Sequence, residues 1–433
     1  AIFSMFLTEK EIRNYVLENV LGIVNGSLTH WENKDLFAHV CALFAEKFEE
    51  ECVDIIRLID NDTDKADLFE AYIESFEWRS KIYLSLSELL ELRHEFSIDP
   101  ATLWNAFINN SVKADHLLNA DRLYDVLKEY SIAERDYVWT IFINEMNSKY
   151  DRIVQLVEMY NKGETLEISD KEQIRLLLIL FSWVLTSSNR YLRDITSKAM
   201  VELLKEHFEY NEYLLKLFSH INDPYVIQRL YGIAFGACVK RTCENKEKYK
   251  KLVYFVFENI FNQDIVYPDI LLRDYARLII ERYFIEYPSE IHDFEVEKIK
   301  PPYQSIQIPD VEDQKYADKD FQKGLSYIQF SMLFEGIGGY GDFGRYVFQS
   351  ALRYFEVDDY KIFNYAMYYI IHELEYQGEL FDNYDEWAKR FAYDRYNLLK
   401  TERIGKKYQW IAMYNILARV SDYCPMKTFY FAE

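Results

Sequence analysis

The stretch Gly336-Ile337-Gly338-Gly339-Tyr340-Gly341-Asp342-Phe343-Gly344-Arg345 is the sharpest candidate for chemistry in this sequence, because Gly339, Gly341 and Gly344 spell G-x-G-x-x-G. Such a loop aims backbone amides at a phosphate when it joins a strand to a helix, with an acid about twenty positions on for a ribose. Residues 345–355 read as helix, but no β-α-β pattern surrounds them. The expected role is therefore a turn between helices, whose glycines supply positive φ or close packing. No G-x-x-x-x-G-K-S/T loop occurs, so the chain carries no recognisable ATPase site. His372-Glu373-Leu374-Glu375 stops short of H-E-x-x-H because position 376 is Tyr376, and zinc is not expected. The eight histidines are dispersed and no Ser/His/Asp or Cys/His arrangement stands out. The expectation is no catalytic residue, no metal and no cofactor in this chain.

Binding chemistry is better represented. Arg403-Ile404-Gly405-Lys406-Lys407-Tyr408-Gln409-Trp410 sets three cations beside two aromatics, then runs into the apolar helix Ile411 to Val420. Cations are disfavoured at the positive end of a helix dipole. The cluster therefore reads either as a grip for an anion or acidic peptide, or as cations paired internally with the chain's many acids. From Tyr316 onward come 17 of the 37 tyrosines, a residue suited both to interfaces and to helical cores. The candidate partner-binding residues are Arg403, Lys406, Lys407 and Trp410, with Tyr340 and Arg345 of the glycine loop.

The elements that would position these groups are helical. An arginine followed three places on by a small residue opens an apolar helical stretch three times: Arg193 with Thr196, Arg229 with Gly232, and Arg273 with Ala276. The arginines lie 36 and 44 positions apart, a spacing of roughly 40 that fits HEAT-like or armadillo-like helix pairs. Such pairs cannot bury their apolar faces alone, so neighbours share a core and leave a long wall for partners. Asp223-Pro224 supplies an N-cap with proline at the first helical position, and Tyr267-Pro268 does much the same. The small residues mark close helix approach. The arginines form either a structural ladder to acids and carbonyls of the adjacent repeat or a stripe that receives a ligand.

Composition agrees with helices. At 433 residues the chain exceeds the roughly 250–300 that one core supports. Half of it is apolar, with only 13 Gly and 8 Pro, which favours long helices over turn-rich sheets. The formal charge of -22 argues against direct nucleic-acid binding, since an acidic surface repels phosphate. Cys41, Cys52, Cys238, Cys243 and Cys424 form no C-x-x-C pair and read as reduced thiols of a cytoplasmic protein. The longest apolar run, Leu176 to Leu185, is about half of what a bilayer crossing needs, so no membrane partner is expected. The first residue is Ala1 rather than Met, from which a fragment, a processed product or an incomplete chain is expected.

Four segments follow. Residues 1–165 read as irregular helical hairpins, with a capping box at Thr8 and Glu11 opening a helix over Thr8 to Val24, and one apolar stripe, Phe37 to Ile59, over Asp35 to Asp60. The acidic run on its far side, Glu46, Glu49, Glu50 and Glu51 with Lys47, reads as a solvated surface or a docking face. Further helices are expected at Asp64 to Phe96, Ala101 to Ser111, Asp115 to Tyr130 and Ala133 to Asn161. Residues 166–287 carry the HEAT-like repeats. Pro288, Pro301, Pro302 and Pro309 make 288–320 the expected linker, and 321–433 a tyrosine-rich helical domain. The expected fold is an all-α, HEAT/armadillo-like helical-repeat solenoid with that further C-terminal domain.

Asn189-Arg190-Tyr191-Leu192-Arg193-Asp194, Asp223-Pro224-Tyr225 with Arg229-Leu230-Tyr231, Gly341 to Tyr346, and Glu402 to Ala412 resemble segments in the C-terminal portions of large bacterial STAND-class NTPases, notably the antiviral Avs (AVAST) proteins. The resemblance spans roughly Ser169 to Asp422. It implies a parent with an N-terminal effector, a central switch that uses ATP and Mg, and a C-terminal helical-repeat sensor that binds a phage protein such as terminase or portal. Since neither nucleotide motif nor effector is present, this chain would be the sensor, and its binding would drive oligomerisation of the parent. The alternative from another class is a general intracellular adaptor scaffold with no linked NTPase.

Overall fold

A computed structural model describes residues 49–57, 62–79, 81–146, 151–161, 170–241, 246–318, 321, 325–392 and 401–428, together with Thr8, Lys10, Glu11, Asn14 and Ala45. The expected Thr8 to Val24 helix lies outside these residues except at its start, where Glu11 accepts from the Thr8 amide at 2.8 Å and hydroxyl at 2.6 Å. Phe37, Val40, Cys41, Phe44, Glu46, Lys47, Phe48, Ile59 and Cys243 also lie outside them. The described fold is all-α with helical repeats, and among the described residues the only extended pairings are two isolated bridges, Asn189 with Thr401 and Phe355 with Met426.

The chain divides into two compact units, Ala1–Val126 with Asp170–Leu180, and Leu127–Ser169 with Phe181–Glu433. This division falls elsewhere than the expected boundaries at 165, 287 and 320. In the first unit, α1 (Glu49–Arg57), α2 (Asp62–Glu74), α3 (Leu86–Glu95), α4 (Pro100–Asn110) and all but the end of α5 (Ala120–Leu127) surround an aromatic core. Phe69 meets Phe96 edge-on at 5.4 Å, and Tyr72 meets Phe76 at 5.1 Å. The single helix expected from Asp64 to Phe96 is broken because Ser85 and Glu88 form a capping box that starts α3 afresh. Glu49 is neither solvated nor a docking residue. It is buried, pairs with Arg79 at 2.8 Å, accepts from Tyr72 Oη at 2.7 Å, and takes the Leu84 amide at 3.1 Å.

The second unit holds α6 (Arg152–Asn161), the end of α7 (Lys171–Val184), α8 (Arg190–Glu206), α9 (Glu209–Phe218), α10 (Pro224–Lys240), α11 (Lys246–Val256) and α12 (Ile270–Glu286). Helices α6, α8, α10 and α12 pack side by side in that order, while α9 and α11 form a second layer against α10 and α12. Each of α8, α10 and α12 starts at a side-chain cap. Asn189 accepts from Leu192 N at 3.2 Å, Asp223 from Val226 N at 3.4 Å and Asp269 from Leu272 N at 2.9 Å. Residues 127–146 and 151–161 belong to the unit of this stack, where Trp139 is buried and its Nε1 donates to Trp183 O at 3.0 Å.

The proline-rich segment is no linker between units. It is tied to the last long helix, where Asp422 accepts from Tyr303 N at 2.9 Å and Ser305 Oγ at 2.5 Å. Beyond it come α13 (Ser326–Met332), α14 (Asp359–Tyr368), α15 (Gly378–Ala392) and α16 (Ile404–Tyr423). Helix α16 packs against α10 and α12 of the stack as well as α13, α14 and α15, which places the C-terminal helices in the same unit as the repeats. Its side chains Ile404, Tyr408, Ile411, Ile416 and Val420 are fully or almost fully buried. At about 1.5–3 kcal/mol for each large apolar side chain, that helix organises the unit's core.

Candidate functional site

The glycine loop is a packed corner. It follows α13, and its turn uses positive φ at Gly336 (87°) and Gly338 (74°). A Cβ on Gly341 would lie 2.7 Å from Leu333 N and O, and one on Gly344 2.6 Å from Leu333 O, with the Ser331 and Met332 carbonyls closer still. Those two glycines are needed because backbone meets backbone there. The amides of Gly341 and Phe343 donate to Leu333 O at 2.9 Å and Ser331 O at 3.1 Å, so these two donors are spent on α13 and its exit.

The start of α16 docks on this corner. Lys406 Nζ reaches Asp342 at 2.7 Å and Ser331 Oγ at 3.2 Å, Arg403 lies 3.8 Å from Asp342 and donates to Tyr327 O at 3.1 Å, and the half-buried Trp410 ring meets Phe343 edge-on at 4.9 Å. Arg403, Lys406, Trp410 and the glycine loop are thus brought together, with the cations already paired. Lys407 is corrected from partner-binding residue to core residue. It is fully buried, and its ammonium sits 2.8 Å from Asp136 and 2.6 Å from Asp223, both equally buried. Arg135 stands 3.7 Å from Asp223, and Thr140 Oγ1 donates to Asp136 at 2.6 Å. The group balances two positive and two negative charges. Burial pulls the Lys407 ammonium down, but the two carboxylates outweigh it and hold its pKa above the ordinary lysine range.

Sequence reasoning missed Arg135 and Asp136. No local signal marks them, since Lys407 lies 271 positions from Asp136. It also missed Asp385, which is buried and caps α16 by accepting from Ile404 N at 2.6 Å. The tyrosines divide as well. Tyr316, Tyr365, Tyr369, Tyr376, Tyr384 and Tyr408 are buried in one aromatic-aliphatic core, while Tyr393, Tyr396 and Tyr430 lie outside the described residues.

Tyr340 and Tyr346 are 67% and 64% exposed, and the Arg345 guanidinium is sandwiched with them, 4.3 Å from the first ring centroid and 5.1 Å from the second. Glu335 steadies the arginine at 3.1 Å. The result is an outward cation-aromatic cluster on a closely packed corner.

The repeat arginines point into the fold. Arg193 donates to Ser187 O at 3.3 Å and to Tyr225 Oη. Arg273 donates to Val266 O at 2.8 Å and Tyr267 O at 2.7 Å and pairs with Asp422 at 2.7 Å. Arg229 differs. It is partly exposed, 3.7 Å from Asp194 and 5.7 Å from the Tyr225 ring centroid. The caps explain the difference, because Arg193 and Arg273 stand four residues after Asn189 and Asp269, whereas Arg229 stands six after Asp223. Thr196 and Ala276 are buried, and Gly232 admits the Tyr275 ring, which a Cβ would meet at 3.1 Å.

In the first unit, a cleft of about 710 Å³ is lined by Arg79, Lys81 and Arg122 but also by Asp115, Asp121 and Glu172, so its charges cancel. Among the described residues no group of His, Cys, Asp and Glu could hold a metal, and no helix is long and apolar enough to cross a membrane. No protein-family model, curated protein or solved structure matches the chain.

Proposed function

We propose that this chain is a protein-recognition module, the sensor of a cytoplasmic bacterial antiviral STAND-class NTPase, which binds a phage protein such as terminase or portal and triggers oligomerisation and effector activation in its parent. The observation that carries the recognition part is the exposed Tyr340, Arg345 and Tyr346 cluster. Aromatic and arginine side chains dominate interface energies, and here the guanidinium already packs against both rings, a contact that lowers the entropy cost of binding. The NTPase part rests on the sequence resemblance between Ser169 and Asp422. In this reading the chain's own activity is binding, and ATP and Mg belong to the parent.

Purified phage terminase and portal proteins, presented to the immobilised chain, test the proposal. Retention of either, lost in the Tyr340→Ala/Arg345→Ala variant, supports it. Failure to retain either, with tight capture of a host protein instead, favours the adaptor scaffold. Sequencing the complete reading frame separates the same two readings, because only the sensor predicts a phosphate-binding loop on the N-terminal side of Ala1.

A further inference from the structure

The side-by-side stack carries a groove of about 390 Å³ across α8, α10 and α12, closed on one side by Tyr414 of α16. Its lining includes Lys198, Arg229 and Lys240 and, among the described residues, no carboxylate. That is unusual on a chain of formal charge -22. Arg229, Gly232, Gly236 and Lys240 lie three or four positions apart, so they share one face of α10, with Ile233 beside them. At Gly232 and Gly236 that face has no side chain, which lets the Tyr275 ring and Val201 lean onto the helix, where a Cβ would meet them at 3.1 and 3.0 Å. The floor is consequently apolar and the cations stand around it.

Two of the three cations are incompletely satisfied. Lys240 pairs with Glu202 at 2.8 Å and Arg229 reaches Asp194 only at 3.7 Å. Lys198 is exposed and makes no ion pair among the described residues. A carboxylate entering the groove would therefore gain one unpaired ammonium and a guanidinium whose present partner is distant.

We infer that this groove binds an acidic peptide segment of a partner protein, its carboxylates on Lys198, Arg229 and Lys240 and an apolar side chain on the floor between Ile233 and Tyr275. The volume lies in the range of sites that hold one compact ligand or a few side chains. A nucleic acid fits less well, because its affinity grows with the number of phosphates neutralised and this groove offers few cations within an acidic surface. The inference stands on the groove and is independent of the Tyr340 cluster.

Fluorescence anisotropy on the full chain tests it, with a short fluorescein-labelled peptide of glutamates around one phenylalanine and a labelled single-stranded oligonucleotide of equal charge. Binding of the peptide is expected at about 50 mM salt and weaker at about 200 mM. The Lys198→Glu/Lys240→Glu variant should lose at least about tenfold in affinity while Lys198→Arg/Lys240→Arg binds normally, both melting as the parent chain does. Absence of peptide binding at low salt, unchanged binding in the charge-reversed variant, or tighter binding of the oligonucleotide would each overturn the inference. Tyr340→Ala should leave the peptide affinity unchanged.

Discussion

Successive residues of a helix point about 100° apart, and that rotation sends Lys406 to Asp342 at the surface and Lys407 to Asp136 and Asp223 in the core. Lys407→Ala leaves two buried carboxylates facing Arg135 alone and should cost about 3–5 kcal/mol in denaturant unfolding. Lys406→Ala, next to a half-exposed carboxylate, should cost about 1 kcal/mol or less. Equal losses would contradict the placement of Lys407. Two capping carboxylates give the stability a pH dependence. Burial pushes Asp269 and Asp385 up to about 6 from an ordinary 3.8, against the backbone amides of Leu272 and Ile404. Between those values the folded chain holds protons that the unfolded chain has released. Stability therefore falls as pH rises from about 4 to 6, by on the order of 3 kcal/mol per group. On the acid side, Glu290 is held down at about 2 by hydrogen bonds from Lys246 and Lys250, so its contribution is complete above 4.5 and is lost as pH falls toward 2. The melting temperature should be highest near pH 4. Asp385→Asn, which keeps a capping oxygen, should melt higher than the parent at pH 8 and show a shallower slope. A melting temperature that rises steadily from pH 5 to 8 would contradict the burial of both acids.

At the level of elements, the glycine loop is a test of fit. Gly344→Ala places a Cβ against the Met332 and Leu333 backbone, which cannot swing aside as a side chain can, and should cost about 3 kcal/mol. Gly336→Ala meets open space and should cost about 1 kcal/mol for its positive φ alone. Comparable melting losses would argue against the packed corner. Helix identity was legible wherever caps and apolar spacing are local: Asp223-Pro224 opens α10 where its sequence predicts, and the apolar run from Leu176 to Leu185 is buried. The register of the repeats was not legible. Arg229 matches the phrase by spelling but sits two residues late from its cap, so it serves the groove while Arg193 and Arg273 serve the turns. The tyrosine enrichment could not be divided in advance either. Buried Tyr365 and exposed Tyr340 are both drawn from the same tyrosine-rich stretch, and their burial depends on packing between segments distant in sequence.

Across the whole molecule, charge and surface chemistry separate. Many of the described helix faces are laced by pairs such as Lys250 with Glu290 at 2.5 Å on a chain of net charge -22, whereas the two sites proposed to bind carry arginine, lysine and tyrosine. Such a distribution steers basic surfaces toward the chain at long range and reserves short-range specificity for a few side chains. The partner's identity was beyond the sequence, since helical repeats share a scaffold and differ in surface. The most direct measurement is calorimetric titration of the purified chain with phage terminase and portal, repeated on Tyr340→Ala/Arg345→Ala/Tyr346→Ala after its melting temperature is shown to match. The expected result is saturable binding of one of the two, weakened at least about thirtyfold by the triple substitution, as loss of about 2 kcal/mol requires. Undiminished affinity in a stably folded triple variant, or no heat with either phage protein, would contradict it.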